Sequence, residues 1–215
     1  MITVEYLANL VISACEAIQA PYMLTGALAY NYYAIPRSTK DVDIVVNITE
    51  PGTMAKIIST LEPEILFGPQ VEFDTITWGR RHIGRPPEDS GLSVELFELF
   101  DDPFVAIQFG RRQRFFSKAL QREVYLPTAE DIVTQKIRWG RSKDLDDARD
   151  VLAVQGPETL DMPLHPELVC HSWHNRTLRE HPPQPAALVV PITGRRELLR
   201  RLQLNVIETH LTAGD

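Results

Sequence analysis

Asp41 and Asp43 stand one residue apart at the head of the run Asp-Val-Asp-Ile-Val-Val, which begins fifteen residues after Gly26. Strand side chains alternate between faces, so the two carboxylates share one side while Val42, Ile44 and Val46 take the other. Carboxylates held side by side repel one another, and a hard divalent cation neutralises them. Mg²⁺ (or Mn²⁺) takes few protein carboxylates and completes its shell with water and substrate phosphates. Gly26 follows the strand-like Tyr-Met-Leu and opens a short helical stretch, whose free N–H groups and dipole suit a phosphate. Phosphate cradle and metal seat are thereby adjacent, as phosphoryl or nucleotidyl transfer requires, where catalysis is chiefly positioning and charge neutralisation. For the Asp-x-Asp taken alone, a surface acidic pair near a loop is the plainer reading.

These residues need a scaffold, and the chain spells out most of one. Leu7, Leu10, Val11, Ala14 and Ile18 recur at helical spacing before Pro21. The short helix after Gly26 stops before Pro36, and residues 41–46 have the β-branched content of a strand. Met54, Ile57, Ile58 and Leu61 line one face of a helix that begins near Pro51. Residues 71–78 alternate like a strand, 84–91 read as a loop, 92–100 as another strand, and 102–112 as a helix with Pro103 in its first turn. From Leu126 the pattern turns helical. Thr128 and Asp131 have capping-box spacing, Gly140 closes that helix, and a second one carries Leu145, Ala148 and Leu152 up to a Gly156 cap. The expected fold class is therefore α/β (α+β), a mixed sheet flanked by helices with a C-terminal helical annex. Residues 181–194 carry four prolines and read as a linker, and Leu198, Leu199, Leu202 and Val206 suit a terminal amphipathic helix.

Composition bounds the partners. The 215 residues are 44% hydrophobic and 24% charged, as in an ordinary globular protein. No run of about 18 apolar residues exists, so no membrane span is expected. The first ten residues lack the basic flank of a secretory signal. Cys15 and Cys170 lie far apart without metal-ligand spacing, which suits a reducing cytoplasm. A net charge of −7 argues against a general nucleic-acid coat. The basic group Arg111, Arg112, Arg114 and Lys118 reads as a solvated face, with a grip on a nucleotide tail or RNA as the sharper alternative. The six histidines show no metal spacing.

Gly26-Ala27, thirteen residues, then Asp41-Val42-Asp43 and an apolar run resembles the nucleotidyltransferase superfamily with the DNA polymerase β-type core. The match extends through residues 33–46, 94–104, 129–152 and the segment around Trp173. Together these are similar to a bacterial branch of small stand-alone enzymes, the abortive-infection (AbiEii) toxins of toxin–antitoxin pairs. The resemblance implies a core over residues 1–125, a helical annex over 126–180 packing on it, and the linker and terminal helix over 181–215. It implies that Gly26 and the backbone of Ala27 hold the triphosphate of an NTP such as ATP. Read from the residues, Arg37 after Pro36 either reaches across to phosphate or neutralises Asp41, and Thr39 stands with it on the nucleotide side. Asp41 and Asp43 then hold Mg²⁺ or Mn²⁺. Glu95 matches the third carboxylate, as general base or as ligand of a second metal facing the acceptor hydroxyl. Lys136 matches a helical lysine that contacts phosphate as a point charge, and Asp147 or Asp150 matches a later aspartate. The implied partners are an acceptor on RNA, tRNA or protein and a cognate antitoxin.

Strand parity alone leaves Glu95 and Glu98 open as the residue facing the site, and the resemblance selects Glu95. Two positions depart from the pattern. Ala27 removes a hydroxyl donor, and losing a hydrogen bond to a charged group costs about 1.5–3 kcal/mol. Glu95 extends the usual aspartate by one methylene. A catalytically degenerate module that binds a nucleotide or a partner is the alternative reading.

Overall fold

In the computed structural model the glycine turn and the acidic strand are neighbours in one sheet. The structure describes residues 2–74, 79–88, 90–100, 102–156 and 159–160. Helix α1 (Val4–Ala17) starts where Thr3 accepts a hydrogen bond from the Tyr6 amide at 3.2 Å, and it buries Leu7, Ala8, Val11, Ile12 and Cys15. Strand β1 (Tyr22–Leu24) leads through Thr25 into α2 (Gly26–Tyr33), then β2 (Asp41–Val46) and α3 (Thr53–Leu61). Strands β3 (Leu66–Phe67), β4 (Glu72–Phe73), β5 (Arg80–Arg85) and β6 (Ser93–Glu98) follow. Helix α4 (Pro103–Arg111) is capped by Asp102, whose carboxylate accepts from the amides of Phe104 and Val105 at 2.9 and 3.1 Å, with Pro103 at its first position. A hairpin of β7 (Gln113–Ser117) and β8 (Arg122–Leu126) precedes α5 (Ala129–Trp139) and α6 (Ser142–Gln155).

The main sheet has the order β1-β2-β6-β5-β3, with β4 pairing on β5. Its centre is the parallel pair β2–β6; β1–β2, β5–β6, β3–β5 and β4–β5 are antiparallel. A parallel neighbour needs a long crossover, here supplied by α3 and the strands β3 to β5. Both faces of the central pair are apolar over part of their length. Val42, Ile44, Val46, Val94 and Leu96 are fully buried on one face. On the other, Val45 and Phe97 pack with Met23 and Phe109, beyond the strand ends that carry the acids. The chain divides into two compact units between Ile132 and Val133. Among the described residues no helix is long and apolar enough to cross a membrane.

One sequence expectation changes, one hairpin goes unread, and one expected strand is described only in part. Strand β5 begins at Arg80 and runs into the stretch expected as a loop from residue 84; its sequence Arg-Arg-His-Ile-Gly-Arg hides it, because pairing on both edges, rather than apolar alternation, holds it in the sheet. The β7–β8 hairpin was not legible either, since its turn carries no Asn-Gly or Gly-Gly signal. Of the expected strand at 71–78, Glu72–Phe73 is formed, and residues 75–78 lie outside the described residues. The linker and terminal helix expected over 181–215 and the segment around Trp173 also lie outside them.

Candidate active site

The turn into α2 is built against β2. The Thr25 amide donates to the Asp43 carbonyl at 2.9 Å, and Gly26 enters the helix at φ +59°, a conformation that costs residues with a Cβ about 1–2 kcal/mol. A Cβ on Gly26 would lie 1.8 Å from Asp43 Oδ2 and 2.6 Å from its Cγ. The Asp43 carboxylate therefore lies directly against the turn, and only glycine leaves room for it. The first-turn N–H groups of α2, at Gly26, Ala27 and Leu28, have no intrahelical acceptor. Ala27 keeps its N–H there and is buried, so the missing hydroxyl is the one loss at that position.

Asp41 opens β2. The Thr39 hydroxyl accepts from the Asp41 amide at 3.2 Å and so pins the strand's first residue. Across the parallel pair Asp41 is in register with Ser93, and Asp43 with Glu95. The Ser93 hydroxyl donates to Asp41 Oδ1 at 2.6 Å, which places both side chains on one face. Glu95, two residues on, shares that face. Glu98 points to the other side, where His82 Nε2 lies 3.0 Å from its carboxylate; a cross-strand partner, rather than an open strand end, satisfies it.

Glu95 does not stand alone. Arg81 Nη1 donates to Glu95 Oε2 at 2.9 Å, and the same guanidinium reaches Asp74 at 3.6 Å and Glu72 at 3.2 Å. Burial raises the Glu95 carboxyl above its ordinary range. Arg81 opposes that rise and the negative charge of Asp41 adds to it, and the net shift is upward. Among the described residues no three Asp, Glu, His or Cys side chains are grouped closely enough to hold a metal together. Asp41 and Asp43 supply, from one face of β2, the hard oxygen donors that Mg²⁺ or Mn²⁺ prefers. The donor set thus fits a divalent cation on two carboxylates, with Glu95 paired to a cation of the chain's own.

The remaining expected site residues fall as follows. Arg37 is fixed by its backbone, which exchanges hydrogen bonds with the Asn31 side chain at 2.8 and 3.0 Å, and its guanidinium lies 5.2 Å from the Tyr30 ring centre. Lys136 lies on α5 in the second unit and is 3% exposed. Its Nζ is 2.7 Å from Asp147 Oδ2 and 3.4 Å from Asp144 Oδ1, with the Trp139 ring at 5.0 Å. Its ammonium is thus taken up by the annex's own carboxylates. Asp144 is wholly buried and held by Arg141 as well as Lys136.

Two of the four residues of the basic group pair with acids of the chain. Arg111 pairs with buried Asp131, Arg112 stacks 4.1 Å from the Phe109 ring centre and 5.1 Å from that of Tyr125, and Arg114 pairs with Glu123. The expected capping box is correspondingly one-sided: the Thr128 hydroxyl accepts from the Asp131 amide at 3.3 Å, while Arg111 takes the Asp131 carboxylate. Two residues at the site went unread in the sequence. Ser93 could have been found by counting back two from Glu95. Arg81 could not, because its reach follows from the β5–β6 register.

No protein-family model matches the chain, and no curated protein matches it. Solved structures do. The solution structure of the antibiotic-resistance factor ANT(2″)-Ia has a TM-score of 0.53 at 13% identity, over 82% of this chain and 95% of that one. Its crystal structure with adenylyl-2″-tobramycin gives 0.54 at 12% identity, over 80% and 98%. An antigenic nucleotidyltransferase-like protein from Paracoccidioides brasiliensis gives 0.55 at 16% identity, over 93% and 92%. At such identities the likeness is one of architecture, and the chain has a nucleotidyltransferase-like fold.

Proposed function

We propose that the protein transfers a nucleotide from an NTP to an acceptor hydroxyl with the help of Mg²⁺ or Mn²⁺. The observation that carries this reading is the Asp43 carboxylate lying against Gly26, in a position that a single Cβ would occupy, on the sheet face shared with Asp41 and Glu95. In this reading Asp41 and Asp43 hold the divalent cation, oriented by the Ser93 hydroxyl and by Thr39 at the strand start. The first-turn amides at Gly26 and Ala27 bind the triphosphate, with Arg37 on the segment leading from α2 to β2. The bound cation supplies neutralisation of the phosphate charge. Glu95 accepts the proton of the acceptor hydroxyl; the freed oxygen bonds to the α-phosphorus, and the bond from that phosphorus to the β-phosphate oxygen breaks, releasing pyrophosphate. Lys136 in this reading organises the annex through Asp144 and Asp147.

The acceptor we favour lies on RNA, tRNA or protein, as the similarity to AbiEii-type toxins suggests, with a cognate antitoxin as partner. Incubating the protein with each α-labelled NTP, Mg²⁺ or Mn²⁺, and bacterial RNA and protein fractions tests both points. Label is expected to enter one fraction and to be lost with Asp41→Ala and Asp43→Ala. Equal labelling by the double variant overturns the reading. The Arg81–Glu95 ion pair favours one other reading, a non-catalytic nucleotide-binding module. Metal-dependent ATP binding without any label transfer would select it.

A further inference from the structure

Arg81 meets three carboxylates at once, and the sheet explains why. It sits directly across from Glu72 in the antiparallel pair β4–β5. On its other side it is opposite Phe97, two residues from Glu95 along β6, so the two side chains share a face and meet diagonally. The guanidinium divides its donors accordingly: Nη1 serves Glu95 at 2.9 Å and approaches Asp74 at 3.6 Å, while Nη2 serves Glu72 at 3.2 Å. Its Nε is buried and meets no acceptor among the described residues.

A guanidinium and a divalent cation repel one another, so both cannot sit closely on one carboxylate without a cost. The third acid of the candidate site is therefore neutralised before any metal arrives. Glu72 and Asp74 offer the arginine two acceptors that remain when Glu95 is withdrawn. The fork geometry of arginine, with five donors in one plane, lets it keep hold of that side while releasing the other.

We propose that Arg81 is a resident counter-cation that latches Glu95, and that Glu95 becomes available beside a divalent cation on Asp41 and Asp43, as a ligand when the cation binds and as base once the acceptor hydroxyl arrives, only when the guanidinium withdraws onto Glu72 and Asp74. This rests on the reading of Asp41 and Asp43 as the metal seat. Arg81 is a positioning residue in this scheme, since it acts through Glu95.

The test is the affinity of the full chain for Mn²⁺ alone, followed by the paramagnetic resonance signal of free Mn²⁺ during titration. Arg81→Gln is expected to tighten binding by about tenfold or more, equivalent to about 1.4 kcal/mol. That gain is expected to vanish in Arg81→Gln/Glu95→Gln, because it depends on the released carboxylate. Arg80→Gln removes the same charge from the neighbouring exposed residue and is expected to change little. Glu72→Gln/Asp74→Asn removes the second anchorage and is expected to weaken Mn²⁺ binding. Arg81→Lys keeps the charge but loses the fork; it is expected to tighten binding by a smaller factor, and answers the question if Arg81→Gln does not fold. No tightening with either Arg81 variant overturns the latch, as does a gain that survives in the Glu95 double variant or is matched by Arg80→Gln. Asp43→Asn separates the two levels. If it abolishes Mn²⁺ binding while the Arg81 variants leave it unchanged, the metal seat stands and the latch fails. If it binds Mn²⁺ like the wild type, both fail.

Discussion

Gly26 carries a double demand, a left-handed backbone and a side chain's worth of space given to Asp43. Gly26→Ala separates the two in their effects. The backbone strain is expected to lower stability by about 1–2 kcal/mol, a loss that urea unfolding will measure. The new methyl group must also push the Asp43 carboxylate aside, so nucleotide transfer is expected to fall about a hundredfold or more while the variant stays folded. Gln108 is the opposite case: it is fully buried and, among the described residues, neither end of its amide meets a partner. Gln108→Met keeps the shape and removes the stranded donor and acceptors. It is expected to raise unfolding free energy by about 1–3 kcal/mol. Cys15 supplies a third check. Burial first, and the neighbouring Glu16 second, push its thiol from 9.0 up to about 12. At pH 8 the thiolate fraction therefore falls about a thousandfold. A Cys170→Ser variant is expected to react with disulfide reagents at that pH only after unfolding.

At the level of elements, the annex helices α5 and α6 are joined through a buried charge cluster. Burial by itself would raise the Asp144 carboxyl, but the Arg141 hydrogen bond and the charges of Lys136 and Arg141 outweigh it and hold the group below its ordinary 3.8. A depressed carboxyl contributes stability that is present in full above the ordinary value and is lost as pH falls through the folded one. Acid unfolding of the wild type is therefore expected to steepen below that ordinary value, and Asp144→Asn to flatten this limb. Lys136→Met leaves Asp144 and Asp147 without their shared cation, and is expected to cost about 3–5 kcal/mol in urea unfolding. Helices of this kind were legible in the sequence. Their apolar spacing, Pro103, Gly140 and Gly156 announce them locally, and so do the β-branched residues of β2 and β6. Strand β5 and the β7–β8 hairpin were not, because their polar sequences become strands only through partners distant in the chain. The same limit applies at the site. Asp41, Asp43 and Glu95 follow from spacing and resemblance, whereas Arg81, which pairs with Glu95, follows only from sheet register.

For the molecule as a whole, the sheet order places two parallel strands side by side so that acids from both emerge on one face next to a helix start. The net charge of −7 and the internal pairing of Arg111 and Arg114 leave little general attraction for nucleic acid. Any RNA acceptor has to be recognised by fit rather than by a basic coat, and labelling of an RNA acceptor is expected to depend only weakly on salt. The most direct test of the metal seat is anomalous scattering from a crystal grown with Mn²⁺ and a non-hydrolysable NTP. A manganese peak bridging the Asp41 and Asp43 carboxylates, with phosphate density over the Gly26–Leu28 amides, is the expected result. A peak held elsewhere, or nucleotide bound away from that turn, would contradict the proposed chemistry.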